Sequence, residues 1–200
     1  QSFFAPAQGS IRGRPSGGLL TLISLELNCI ACSLPHKSPY LQILHLKFSR
    51  NFELLLFNIY NVPSQMHLML LPAEIRSVLL SPIAWVVSSV LLLGDFNLHP
   101  CDSMCNLISS EDMEAMCHFS HTSAGECFNS LVCEFNLFNC YDIGSSKKVP
   151  ATFIGRGTNS TIDYCFVSSF LAPKICKVEV GDFVCSDHLP LIITVDPLLW

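Results

Sequence analysis

From Ile83 to Leu93 the chain is apolar except for Ser88-Ser89, and it then runs straight into Gly94-Asp95-Phe96-Asn97. The second part of that run has the composition of a central strand, which needs cover on both faces. A sheet inside an α/β sandwich provides such cover, and a sheet with one wet face does not. The polar tetrapeptide then falls where strand meets loop, a place from which a rigid scaffold presents reactive groups.

The wider stretch from Ser77 to Gly94 carries no charged residue, so a membrane-spanning helix is the competing reading. Its length is at the lower limit for a span. Pro82 interrupts it, Ser77, Ser81, Ser88 and Ser89 dilute it, and Trp85 falls in the middle rather than at an interface. A helix end followed by a buried strand is the expectation, with no membrane association.

Other segments supply strands and helices around it. Gly17-Gly18 ahead of Leu19-Leu20-Thr21-Leu22-Ile23 predicts a turn feeding a strand, after a loop-like opening. Tyr40 to Phe48 and Phe52 to Tyr60, separated by Ser49-Arg50-Asn51, read as a hairpin. Asn61-Val62-Pro63-Ser64 breaks the pattern, and a helix is expected from Pro72, a good first-turn residue, to about Leu80. Glu111 to Phe138 reads as one or two helices. Thr152-Phe153-Ile154, Thr161 to Val167 and Leu191 to Val195 read as three short strands. Many strands with a few interspersed helices predict an α/β sandwich, and 200 residues, half of them apolar, fit one domain with a sizeable core.

Eleven cysteines, an odd count, sit in apolar contexts such as Asn139-Cys140-Tyr141, which predicts reduced thiols in an intracellular protein, nuclear or cytoplasmic. A net charge of -5 argues against binding nucleic acid through overall positive potential. Any such contact is expected to be local, and Lys147, Lys148 and Arg156 are candidates for it. Cys117, His118, His121, Cys127 and Cys133 are soft ligands without a closed zinc spacing, and Cys29 and Cys32 lack a second pair. Buried thiols and surface histidines are the expectation for these residues.

Three segments place polar, acid or base groups beside an apolar strand: Gly94-Asp95-Phe96-Asn97, Ile162-Asp163-Tyr164 and Ser186-Asp187-His188. Each alone is a weak signal, since Gly-Asp commonly marks a turn. In order, however, GDFN, STIDY and SDHLPL resemble the successive signature segments of the endonuclease/exonuclease/phosphatase (DNase-I-like) superfamily. Gly13-Arg14-Pro15-Ser16-Gly17-Gly18-Leu19 and Phe57-Asn58-Ile59-Tyr60-Asn61-Val62-Pro63 resemble the endonuclease domains of non-LTR (LINE-type) retrotransposons in particular.

The resemblance implies a four-layer α/β sandwich, two packed mixed sheets flanked by helices, acting on DNA as a phosphodiesterase. Asp95 matches the carboxylate that orients or deprotonates the attacking water, a task needing a base within hydrogen-bond reach. Asn97 matches an amide that holds water and phosphate, Tyr60 a hydroxyl that reaches the phosphate, and His188 the imidazole that contacts it. Asp163 matches the carboxylate that fixes the orientation of His188. Asp187 matches an acid beside the metal, with Asp95 as the other metal residue. Mg2+, with Mn2+ as the substitute, is the implied cofactor.

The chain reads as a piece of something longer, lacking the first strand or strands of residues 1–200 taken as one domain. The family's principal metal-binding glutamate precedes the segment that GRPSGG resembles, and no acid occurs ahead of Arg14. Glu26 and Glu53 match later positions, where a solvent-facing or structural role is expected. Weak activity with weakened metal binding, or a catalytically dead remnant that keeps only the fold or weak nucleic-acid binding, is therefore the expectation.

Overall fold

A computed structural model describes residues 1–7, 18–48, 52–62, 65–87, 89–99, 119, 122–143, 150–155, 157, 159–182 and 186–196. In chain order the elements are β1 (Ser2–Ala5), β2 (Leu19–Leu22), β3 (Cys29–Ser33), β4 (Leu41–Phe48), β5 (Glu53–Tyr60), α1 (Gln65–Leu79), α2 (Pro82–Val86) and β6 (Ser89–Asp95). They continue as α3 (Ser123–Glu134), β7 (Leu137–Asn139), α4 (Cys140–Ile143), β8 (Phe153–Ile154), β9 (Asn159–Ser160), β10 (Asp163–Ser168), β11 (Ile175–Val180) and β12 (Leu191–Val195).

Six strands form one mixed sheet in the order β3-β4-β5-β6-β10-β7, with β5 and β6 parallel and the other neighbours antiparallel. Alternation along the strands sorts side chains to two faces. Leu55, Phe57 and Ile59 of β5 pack with Leu71, Ile75 and Leu79 of α1 and with Phe128 and Leu131 of α3. On the opposite face Leu44, Leu46, Cys165 and Val167 pack with Ile23 and with the partly buried Ile175 and Ile193. The result is an α/β sandwich. Among the described residues its second layer consists of the separate two-stranded pieces β1-β2 and β11-β12.

The expected hairpin is present as β4 and β5, and the apolar run resolves into α2 and the central strand β6. Among the described residues no helix is long and apolar enough to cross a membrane. Three expectations need correction. The helix expected from Pro72 starts at Gln65 and carries Pro72 in its interior. Pro72 there removes a hydrogen bond and crowds the preceding turn, at roughly 3 kcal/mol. Burial of Leu71, Ile75 and Leu79 at helical spacing, roughly 1.5–3 kcal/mol each, outweighs that cost. Of the segment from Glu111 to Phe138, residues 111–118 and 120–121 lie outside the described residues; Ser123–Glu134 is helical, but Leu137 and Phe138 belong to β7. The opening expected as loop contains β1, paired with β2.

Candidate functional site

Sheet register alone brings three of the candidate residues into one row. Tyr60 at the end of β5 pairs with Asp95 at the end of the parallel strand β6, and Asp95 pairs with Asp163 at the start of the antiparallel strand β10. Residues paired across neighbouring strands project to the same face. That face is the one where Cys165 and Val167 of β10 meet the second layer, so the row opens at the edge between the two layers.

The GDFN segment has a specific local cause at each position. Gly94 has φ 136°, and a Cβ built on it would lie 2.0 Å from the Ile59 carbonyl oxygen. Asp95 starts an Asx turn, its Oδ1 accepting from the Asn97 backbone N–H at 2.9 Å. Phe96 is fully buried and anchors the turn among Phe119, Phe128, Tyr164 and Phe166, with ring centroids 5.3–5.8 Å away. Asn97 has φ 47°, a left-handed conformation that asparagine tolerates better than most residues.

The amide of Asn97 is already engaged. Its Nδ2 donates to Asp95 Oδ2 at 3.0 Å and to the Asn61 carbonyl at 2.6 Å. Both protons of the group are thus directed at protein acceptors, and its oxygen is the part left to meet a ligand. In this structure Asn97 positions Asp95.

His188 arrives from a different direction. Its backbone bridges to Phe153, whose ring lies edge-on at 5.2 Å, and its N–H donates to Ser186 Oγ at 3.1 Å. Nδ1 sits 3.0 Å from Asp163 Oδ2, so this nitrogen carries the proton and donates it, and Nε2 faces Asp95 Oδ2 at 3.9 Å. Side-chain exposure is 33% for His188 against 13% for Asp95, which leaves the imidazole as the accessible lip of the site. Asp95, Asp163 and His188 place one ligand atom each within 4.8 Å of one another, a group that could hold a metal ion. Asp187 is exposed and stays outside that group; its carbonyl accepts from the Ile154 N–H at 2.8 Å.

Burial, aided by the like charge of Asp163, pushes the Asp95 carboxyl up to about 6, while the Asn97 N–H and His188 pull it the other way. Burial first, then the charge of Asp95, also pushes the Tyr60 phenol up. A folded-state pKa above the ordinary value of about 4 means that the folded protein binds the proton more tightly than the unfolded chain does. Stability from this group is present in full below about pH 4 and is lost as pH rises to about 6, an effect on the order of 3 kcal/mol. In metal-free buffer the stability difference between Asp95→Asn and wild type is therefore expected to grow in favour of the variant from pH 4 to 6 and then level off. Urea titrations across that range check it; a pH-independent difference would be inconsistent with a strained carboxylate.

Two further residues hold the site together and carry no motif of their own. Thr152 is fully buried, and its hydroxyl oxygen accepts from the N–H groups of Ile162 and Asp163, both at 3.1 Å. Its carbonyl accepts from Leu189 N–H, which fastens the His188 loop to the start of β10. Thr152→Val keeps the shape but leaves two N–H groups without an acceptor, so a loss of roughly 2–4 kcal/mol is expected. Thr152→Ser is expected to retain most of it, and denaturant unfolding of the two variants gives the comparison. Asn61 is the second; in the sequence it starts the break after the strand and lies in the segment that carries the resemblance, with no role of its own.

The remaining candidates are not part of this row. Lys147, Lys148, Arg156, Cys117, His118 and His121 lie outside the described residues, as do residues 13–17 of the GRPSGG segment. Cys127 and Cys133 lie on α3, and Cys29 and Cys32 on β3, all without disulfides; against the expectation of buried thiols, Cys133 and Cys32 are exposed and Cys127 and Cys29 only partly buried. Glu53 pairs with His45 at 2.6 Å and Lys47 at 3.6 Å, and Glu26 is exposed in a short 3-10 turn.

Comparison with solved structures finds the same fold in other proteins. The endonuclease domain of TRAS1, a telomere-specific non-LTR retrotransposon, is similar with TM-score 0.67 and 17% identity over 98% of this chain and 79% of that one. The AP endonuclease LMAP from Leishmania major gives TM-score 0.71 and 15% identity over 96% and 69%. The 3' phosphatase NExo from Neisseria, bound to a product DNA hairpin, gives 0.54 and 19% over 77% of this chain and 64% of its own. At such identities the likeness concerns the fold. No curated protein sequence matches. The model of the endonuclease-reverse transcriptase family matches residues 54–192, which contain Tyr60, Asp95, Asn97, Asp163, Asp187 and His188. With more than half of its residues matched, the chain belongs to that family, within the DNase-I-like endonuclease/exonuclease/phosphatase superfamily.

Proposed function

We propose that the domain hydrolyses phosphodiester bonds of DNA by in-line attack of water, as a retrotransposon-type endonuclease that depends on a divalent cation. The observation that carries this reading is the convergence of Asp95, Asp163 and His188 within 4.8 Å, beside Tyr60, at the open edge between the two layers. DNA as substrate is favoured by the family and by the nuclease neighbours, among them one solved with a DNA hairpin.

Above about pH 6 Asp95 is mainly ionised and accepts the proton of the attacking water, held in orientation by Asn97. As the water oxygen bonds to phosphorus, the bond to the departing sugar oxygen breaks. The departing oxygen takes a proton from solvent water, so that one product end keeps the phosphate and the other becomes a hydroxyl. His188 Nδ1 is committed to Asp163, which leaves Nε2, 3.9 Å from Asp95 Oδ2, as the ring nitrogen for the phosphate oxygens. Tyr60 adds a phenol to the same row.

The donor set fits a hard cation in part. The carboxylate oxygens of Asp95 and Asp163 suit Mg2+ or Mn2+, whereas Asp187, on the adjoining loop, lies outside the converging group. A cation bound there supplies charge neutralisation at the phosphate.

Supercoiled plasmid incubated with purified protein tests the reading. Conversion to nicked circles with Mg2+ or Mn2+, abolished by EDTA, is the expected result. Binding of DNA without nicking at any cation concentration would instead support a remnant that retains only fold and affinity.

A further inference from the structure

Asn61 follows Tyr60 directly and is completely buried, yet it carries a polar side chain. Its backbone N–H donates to the Asp95 carbonyl at 2.7 Å, and its Nδ2 donates to the Phe96 carbonyl at 2.7 Å. Its own carbonyl accepts from Asn97 Nδ2 at 2.6 Å. One residue thus holds three consecutive residues of the GDFN turn. Phe96 is held at its other end as well, its N–H donating to the Ile162 carbonyl at 2.8 Å. The Asn61 side-chain oxygen, in contrast, is buried without a partner. A residue needed only to fill space would be apolar at this position and would avoid that desolvation cost.

We infer that Asn61 is a positioning residue: it sets the Asp95 carboxylate and the Asn97 amide at the angle the site requires, without touching the substrate itself. The lever is short. The side-chain amide fixes the Phe96 carbonyl and with it the Phe96–Asn97 peptide, while the Asn61 N–H holds the Asp95 carbonyl and with it the Asp95–Phe96 peptide. The backbone carbonyl takes one of the two Asn97 protons, and the second is thereby directed at Asp95. The consequence for catalysis rests on the phosphodiesterase reading above, but the clamp does not.

Two measurements test it separately. In wild-type protein, NMR is expected to show a trans-hydrogen-bond coupling between the Asn61 side-chain nitrogen and the Phe96 carbonyl carbon, with slow exchange of that amide. A side-chain amide exchanging at the rate of a free asparagine would overturn the inference, whether or not the protein nicks DNA. In single-turnover nicking, Asn61→Ala is expected to lower kcat on the order of 10–100-fold with KM little changed, as expected for misplaced reacting groups. An unchanged kcat, or a change in KM alone, contradicts the inference. If wild type shows the coupling and never nicks, the clamp stands and the phosphodiesterase reading fails. If Asn61→Ala does not fold, the wild-type coupling decides.

Discussion

His188→Ala is expected to slow DNA nicking by roughly 10²–10⁴-fold, the usual range for loss of a positioned proton donor or acceptor. The size follows from what the imidazole does in the site. It is the most exposed of the three converging groups, with Nδ1 held by Asp163 at 3.0 Å and Nε2 facing Asp95 Oδ2 at 3.9 Å. Alanine removes the imidazole at the lip of the site and leaves Asp163 without its hydrogen-bond partner next to Asp95. The effect should therefore lie in kcat more than in KM, and Asp163→Asn should move kcat the same way through loss of ring orientation. Folding should be little affected, since a third of the His188 side chain is exposed and its loop is held by Leu189 N–H and the Ile154 N–H bond to Asp187. Single-turnover rates together with thermal melts separate the two effects.

The second large effect concerns stability. Gly94→Ala is expected to abolish folding or to cost more than about 4 kcal/mol, beyond what ordinary substitutions do. Gly94 pairs with Ile59 across the parallel strands, and the added carbon would sit 2.0 Å from its carbonyl oxygen and 2.9 Å from its backbone nitrogen. Those are backbone atoms at the centre of the main sheet and cannot swing aside as a flexible side chain can. The backbone angle of 136° compounds the clash, because L side chains rarely adopt it. Relief would require β5 and β6 to separate at the point where Tyr60 and Asp95 are brought together. Soluble expression and near-UV circular dichroism of the variant give the readout; a native-like spectrum would contradict the argument.

What the sequence disclosed and concealed divides along physical lines. The alternation of β4 and β5, and the apolar run ending at Gly94, are local patterns, and the strands end within a residue or two of where the patterns end. Pro72 misled because helix starts tolerate proline and helix interiors do not, unless packing on that face outweighs the lost bond. β1, β3 and β11 are short or partly exposed strands whose pairing partners supply the order that their own residues do not signal. The motif residues were visible because their types and order are distinctive. Thr152 and Asn61 were not, because their value lies in bonds to Ile162, Asp163 and Phe96, residues that only the fold brings near. Asn97 was visible as a residue, but its role depended on which acceptors its amide meets.

The most direct test of the site as one working unit is a double-mutant cycle in the Mg2+-dependent nicking assay, comparing wild type, Asp95→Asn, His188→Ala and the double variant. Groups that act together on one phosphate are strongly non-additive. Wild type should nick, each single variant should lose most of the rate, and the double variant should lose little more than the weaker single. Multiplying losses, or variants that nick as fast as wild type, would contradict a shared site.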